Sequence, residues 1–243
     1  MPKYRRDFTQ DTRSTLTGVN NGSAAFGDCD NDGDLDILIT GDDGTNKIAK
    51  VYRNTEGVFN EATEISLTGV YRSTGIFGDY DNDGDLDILI TGNIGGFKIA
   101  QIYRNNLDIS NTSPSEPTSL SAIVSGQSVT LSWSAGSDLE TISDSGLSYN
   151  VRIGSSPGTC DILAPMSLPL SNGYQQLASR GSFQNLTATI TINQTGTYYW
   201  SVQTIDTSFS GSPFSNEYSF TINDIAPIVG NNGLISSSTL LPD

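Results

Sequence analysis

Hydrophobic positions change rhythm near residue 107, and the two rhythms predict two kinds of β-structure. In the first half, Asp34 to Thr40 is apolar at Leu35, Ile37, Leu38 and Ile39, which suits a strand buried on both faces. Lys47 to Tyr52 predicts a second strand, Ala24 to Gly27 a third and Glu64 to Leu67 a fourth, with turns between them. In the second half strict alternation sets in. Val129, Leu131 and Trp133 share one face of Ser128–Trp133, and Tyr149, Val151 and Ile153 one face of Ser148–Ile153. Tyr198, Trp200 and Val202 do the same in Thr197–Val202, and Tyr218–Ile222 closes the series. Clean alternation predicts antiparallel strands with one packed and one wet face. Several such strands over residues 118–223 predict a β-sandwich.

The first half is also an internal repeat. Phe26-Gly27 through Tyr52-Arg53-Asn54 aligns with Phe77-Gly78 through Tyr103-Arg104-Asn105, and Leu35–Gly41 matches Leu86–Gly92. Phe8 and Leu16-Thr17-Gly18 are weaker counterparts of Phe59 and Ile65–Gly69, and Tyr4-Arg5-Arg6 resembles the tail of an earlier unit. Four short strands in roughly 50 residues is the period of a β-propeller blade. The expected fold is therefore all-β: a partial β-propeller of two blades plus a fragment over residues 1–107, then a sandwich over 118–223. A polar, Pro-containing linker (108–117) joins them, and a Pro/Gly/Ser-rich tail or start of a further module follows (224–243). Two blades do not close a ring, so the chain is expected to be part of a longer one or to assemble from several copies.

Two nine-residue stretches carry the candidate chemistry: Asp28-Cys-Asp-Asn-Asp-Gly-Asp-Leu-Asp36 and, 51 residues on, Asp79-Tyr-Asp-Asn-Asp-Gly-Asp-Leu-Asp87. Carboxylates at positions 1, 3, 5 and 9 with glycine at 6 let a short loop wrap a hard cation with oxygen ligands. Asp28, Asp30, Asp32 and Asp36 would bind through side chains, the last directly or through water, and Asp34 through its carbonyl. Asp79, Asp81, Asp83, Asp85 and Asp87 map the same way. Five carboxylates in nine residues repel one another without a cation. An all-protein oxygen cage favours Ca²⁺ over Mg²⁺. A helix-loop-helix calcium hand needs an acid at position 12, where this chain has Ile39 and Ile90, and a helix where this chain is β-prone. The bland alternative is an Asp/Asn/Gly turn without metal.

Net charge is −15, and ten of the 27 acidic residues sit in these two loops. No basic face for nucleic acid is visible. The absence of histidine excludes Ser-His and Cys-His catalysis. Cys29 and Cys160 fall in different halves, so no disulfide is expected between them. Neither a signal peptide nor an apolar run of membrane-spanning length is visible. Asp138, Glu140 and Asp144 read as a solvated acidic loop, and Trp133, Trp200 and Tyr198 as core rather than a sugar platform.

Residues 10 to 107 resemble the FG-GAP repeat of integrin-like β-propellers, also described as VCBS-type repeats: Phe26-Gly27 and Phe77-Gly78 match its Phe-Gly, and the acidic loop occurs twice. The family's Gly-Ala-Pro element is not evident. The second half resembles a fibronectin type III domain, on Trp133 and on Gly196-Thr-Tyr198 as a tyrosine corner. These resemblances imply two structural Ca²⁺ sites in a non-catalytic, extracellular or cell-surface scaffold. Its partner would be an extracellular protein or a glycan, in adhesion or ligand binding. An accessory, non-catalytic region of a secreted polysaccharide-active hydrolase is the alternative. No Arg-Gly-Asp tripeptide occurs to identify a partner; Arg180-Gly181-Ser182 comes nearest.

Overall fold

Among the described residues, strand pairing builds four antiparallel sheets, two in each half of the chain. The computed structural model describes residues 8–108, 110–141, 146–168 and 179–223. Tyr4 to Arg6, Asp144 and the tail at 224–243, each singled out above, lie outside the described residues.

In the first half, β1 (Asn20–Gly27), β2 (Asp36–Asp42), β3 (Lys47–Thr55) and β4 (Val58–Glu61) form one sheet in that order. β5 (Tyr71–Gly78), β6 (Asp87–Asn93) and β7 (Lys98–Tyr103) repeat the first three strands. The fourth strand is thus Val58–Glu61 rather than Glu64–Leu67, and the second sheet has three strands among the described residues. The cause is a tight turn. Glu56 (φ 54°) and Gly57 (φ 81°) both adopt left-handed backbone between the paired residues Thr55 and Val58, the type I′ geometry that matches strand twist. Glu-Gly is a weaker signal for that turn than Asn-Gly. Residues 64–67 then run unpaired, and Ile65 and Leu67 fill space in the core between the sheets.

The two sheets stack face to face. Ala25, Leu38 and Val51 are cross-strand neighbours on one face of the first sheet. They pack with Val70, Phe77, Ile88 and Ile90 of the second unit. Gly75 permits the approach: a Cβ there would stand 2.8 Å from Leu38 Cδ2. The expectation that Leu35, Ile37, Ile39 and their second-repeat equivalents all pack between units is corrected in part: Leu86, Ile88 and Ile90 do so, and the three residues of the first unit do not. Ile37 and Ile39 point the other way, with Tyr52, Val19 and Phe59, and Leu35 is only half-buried. In a strand apolar on both faces, pattern alone does not tell which face meets the neighbour.

The segment preceding each sheet belongs to its repeat. Tyr52 Oη donates to Thr17 Oγ1 at 2.7 Å and accepts Thr17 N–H at 3.1 Å; Tyr103 does the same with Thr68 at 2.8 and 2.9 Å.

In the second half, β8 (Thr118–Ser125), β9 (Ser128–Ser134) and β11 (Thr187–Thr191) pair in the order β11-β9-β8. β10 (Ser148–Gly154), β12 (Gly196–Ile205) and β13 (Tyr218–Ile222) pair in the order β10-β12-β13. One core joins the two sheets: Val129, Leu131 and Trp133 from one meet Tyr149, Val151, Ile153, Tyr198, Trp200 and Val202 from the other. The alternating residues of the sequence make up most of it, and Leu120, Leu147, Ala188 and Ile192 join from outside that pattern. Tyr198 Oη donates to the Gln194 carbonyl at 2.9 Å and ties the loop before β12. β8 and β11 were not legible: β8 leaves Ile123 and Val124 exposed, and β11 has only Ala188 fully buried. No helix among the described residues is long and apolar enough to cross a membrane.

Candidate metal centre

Each acidic loop joins the first two strands of its sheet, β1 to β2 and β5 to β6. Its first aspartate wraps it. Asp28 accepts the N–H groups of Asp32 (3.1 Å) and Gly33 (2.9 Å), and Asp79 those of Asp83 (3.2 Å) and Gly84 (3.1 Å). The backbone turns left-handed at Asn31 (φ 56°) and Gly33 (φ 89°), and again at Asn82 (φ 61°) and Gly84 (φ 95°). Asn and Gly are the residues that tolerate this conformation. The ninth aspartate anchors the loop. Asp36 accepts Cys29 N–H at 2.9 Å and Asn54 N–H at 2.8 Å; Asp87 accepts Tyr80 N–H at 3.1 Å and Asn105 N–H at 2.7 Å.

This folding gathers carboxylate oxygens of Asp28, Asp30 and Asp36 within 4.8 Å of one another, and does the same for Asp79, Asp81 and Asp87. Asp30 Oδ1 and Asp81 Oδ1 are buried and have no hydrogen-bond partner. Their Oδ2 atoms face Arg53 Nε (3.1 Å) and Arg104 Nε (2.9 Å). A buried carboxylate oxygen without a donor, beside other carboxylates, is costly. That it recurs at the same position of both loops fits a cation supplying the missing partner, and an all-oxygen donor set suits Ca²⁺.

The electrostatics agree. Burial raises the Asp28 carboxyl to about 6. It raises Asp30 to about 7, with repulsion from Asp36 and Asp32 adding to the effect. Burial also pushes up Asp36, Asp79 and Asp87. A bound cation would favour the ionised form of each.

The side chains at the fifth position, Asp32 and Asp83, are not part of these triads, and those at the seventh, Asp34 and Asp85, expected to bind through their carbonyls, turn to other partners. Asp32 Oδ1 accepts Asp34 N–H at 2.9 Å, and Asp34 Oδ2 accepts Glu56 N–H at 3.3 Å. Asp83 accepts Asp85 N–H at 3.2 Å and Arg104 Nη2 at 2.8 Å, and this arginine holds its carboxyl below the usual range. Asp85 is buried, accepts Asn31 Nδ2 at 2.9 Å, and is pushed up by burial.

Four residues of the site were missed. Arg53 and Arg104 balance charge at the third position, and Asn54 and Asn105 tie the ninth position through their N–H groups. Asn54 Nδ2 and Asn105 Nδ2 also donate to the Leu35 and Leu86 carbonyls, each at 3.2 Å. Their recurrence at the same offset as the aspartates was the available signal.

The first loop also meets the C-terminal unit. The Glu140–Thr141 backbone lies against Gly33, and Asp138 and Glu140 are half-buried: Asp138 accepts Thr141 N–H at 2.7 Å, and Glu140 accepts Thr112 Oγ1 at 2.7 Å. Nearby, Asp206 is fully buried, accepting Asn111 Nδ2 at 2.9 Å and Ser210 N–H at 2.7 Å, and burial holds its carboxyl well above the usual range.

Fold and site together define an all-β chain with two copies of an acidic, oxygen-donor hairpin loop. A protein-family profile described as FG-GAP-like repeat matches residues 28–90. The match opens on the first aspartate of the first loop and ends within β6, so it spans one whole unit and the second loop. No curated protein matches the chain.

Proposed function

We propose that the chain is a non-catalytic, calcium-stabilised scaffold of extracellular or cell-surface location, in which two propeller-type blades are followed by a fibronectin type III-like sandwich. Its role is to hold or present a binding surface for another extracellular protein or a glycan. The observation that carries the calcium reading is the repeated orphan, Asp30 Oδ1 and Asp81 Oδ1, each aimed among carboxylates. The FG-GAP-like match supports a binding or scaffold role. The sandwich reading is supported by strand order, three strands against three, and by the Tyr198 tie to Gln194. Non-catalytic character is supported by what the loop carboxylates do. They are engaged with backbone N–H groups and arginines that shape the loop, an arrangement for holding an ion in place.

Melting the protein in EDTA and in millimolar CaCl2 tests this. Ligand binding to the native state alone stabilises it by about 2.7 kcal/mol per site at a hundredfold excess over Kd. For a chain of this size two sites should raise Tm by about 10 °C or more. EDTA should also make the 28–36 and 79–87 loops sensitive to protease. Superimposable melts in the two buffers would sink the proposal.

A further inference from the structure

The first acidic loop is completed by residues from the far end of the chain. Thr207 Oγ1 donates to Asp28 Oδ2 at 2.7 Å, 179 residues away in sequence. Thr141 Oγ1 and Thr207 Oγ1 lie 2.8 Å apart. A hydroxyl has one proton to give, so with Thr207 committed to Asp28, Thr141 donates to Thr207. The order Thr141 to Thr207 to Asp28 is forced, and all three residues are buried. Asp28 thereby accepts three hydrogen bonds, two from its own loop and one from Thr207. A carboxylate offers about four lone-pair sites, so roughly one is left, on Oδ1, in a carboxylate grouped with those of Asp30 and Asp36.

Ser208 adds a second tie. Its Oγ stands 2.9 Å from Asn31 Oδ1 and 3.3 Å from the Asp28 carbonyl oxygen. The other end of the Asn31 amide donates to Asp85 in the second loop at 2.9 Å. At Gly33 the contact is closer still: a Cβ would stand 2.3 Å from the Glu140 carbonyl oxygen. Thus the first loop is walled by the C-terminal unit on one side and by the second loop on the other. The second loop has the linker as a neighbour instead, with Asn111 O 3.2 Å from where a Gly84 Cβ would be.

We propose that Thr207 and Ser208 are positioning residues of the first cation site, so that ion binding at Asp28, Asp30 and Asp36 and docking of the C-terminal unit on the first sheet form one linked equilibrium. This rests on the calcium reading above. The physical ground is that the Thr207 hydroxyl holds Oδ2 and so fixes the rotamer of a carboxylate that belongs to the triad; partners of this outer kind typically govern 10- to 100-fold in metal affinity, by order of magnitude. By linkage the ion strengthens docking by the same factor that docking strengthens ion binding.

Calorimetric titration of the full chain with CaCl2 reads both sites. The wild type should show two binding events. Thr207→Val should weaken one about tenfold and leave the other in place, and Thr207→Ser should restore it. Ser208→Ala, which leaves Thr207 intact, should weaken the same event to a smaller degree. Both tryptophans, Trp133 and Trp200, lie in the C-terminal core, so their fluorescence follows a unit that contributes no carboxylate to either triad. Calcium should raise the tryptophan-monitored melt of the wild type, and Thr207→Val should shrink that rise. Two binding events and a melt shift that Thr207→Val and Ser208→Ala both leave unchanged overturn the linkage alone. A folded wild type that binds no calcium overturns the calcium reading and the linkage together.

Discussion

Asp28 and Asp30 show how one residue type serves opposite ends in one loop. Asp28 spends its oxygens on backbone and hydroxyl donors and gives the loop its shape, while Asp30 keeps a buried oxygen free of donors. Both titrate near neutrality when no ion is bound, at about 6 and about 7, whereas an unfolded aspartate titrates near ~3.9. The folded, calcium-free protein therefore holds more protons than the unfolded chain between those values, and its stability falls as pH rises. In EDTA the melting temperature should climb as pH drops from 8 to 5. In saturating calcium that climb should vanish or reverse, because the ion takes the place of the protons. A calcium-free melt that falls on acidification over this range would contradict the burial seen at Asp28 and Asp30. A second residue-scale feature is Arg72. It occupies left-handed backbone (φ 47°) at the repeat position where the first unit has Asn21 (φ 49°). Non-glycine residues other than Asn and Asp resist that conformation. Arg72→Asn should raise stability by about 0.5–1 kcal/mol, measured by urea titration at fixed calcium. The cation–π contact that Arg72 would lose is distant, 5.9 Å from the Tyr71 ring centre.

At the scale of elements, stacked sheets give equivalent residues unequal burdens. Leu38 and Leu89 are the same residue of the repeat; the first is 1% exposed between the sheets, the second 36% exposed on the far face of the second sheet. Ile76 and Ile102, its cross-strand neighbours, are exposed with it. Leu38→Ala should cost about 2–5 kcal/mol and Leu89→Ala about 1 kcal/mol or less, as read by chemical denaturation at fixed calcium. Equal costs would mean that the Leu89 face is covered in solution. Much at this scale was legible beforehand. The double-sided apolar run over Asp34 to Thr40 became β2, and the alternating series became β9, β10, β12 and β13, because periodicity reports burial directly. Strands whose partners matter more than their own pattern were not legible: β8 and β11 are paired and only thinly buried, and β4 depends on a Glu-Gly turn. Ile65 and Leu67 carry a strand's composition yet serve as filler, since the backbone partner that would make them a strand is already taken by β4.

For the whole molecule, acidic residues concentrate where the two halves meet. Asp28, Asp85 and Asp206 are all buried near that junction and all held above the ordinary carboxylate range by burial. With a net charge of −15, cations at the two triads would relieve local repulsion where it is least screened. The sequence by itself determined the β class, the repeat with its 51-residue offset, the two acidic loops and most of the C-terminal core, because each is written in local spacing and a period of two. Tertiary structure alone decided which face of each sheet is covered, which three of five aspartates converge, and that Thr141, Thr207 and Ser208 close over Asp28. Those outcomes depend on which surfaces meet across long stretches of chain, and local pattern holds no record of distance in space.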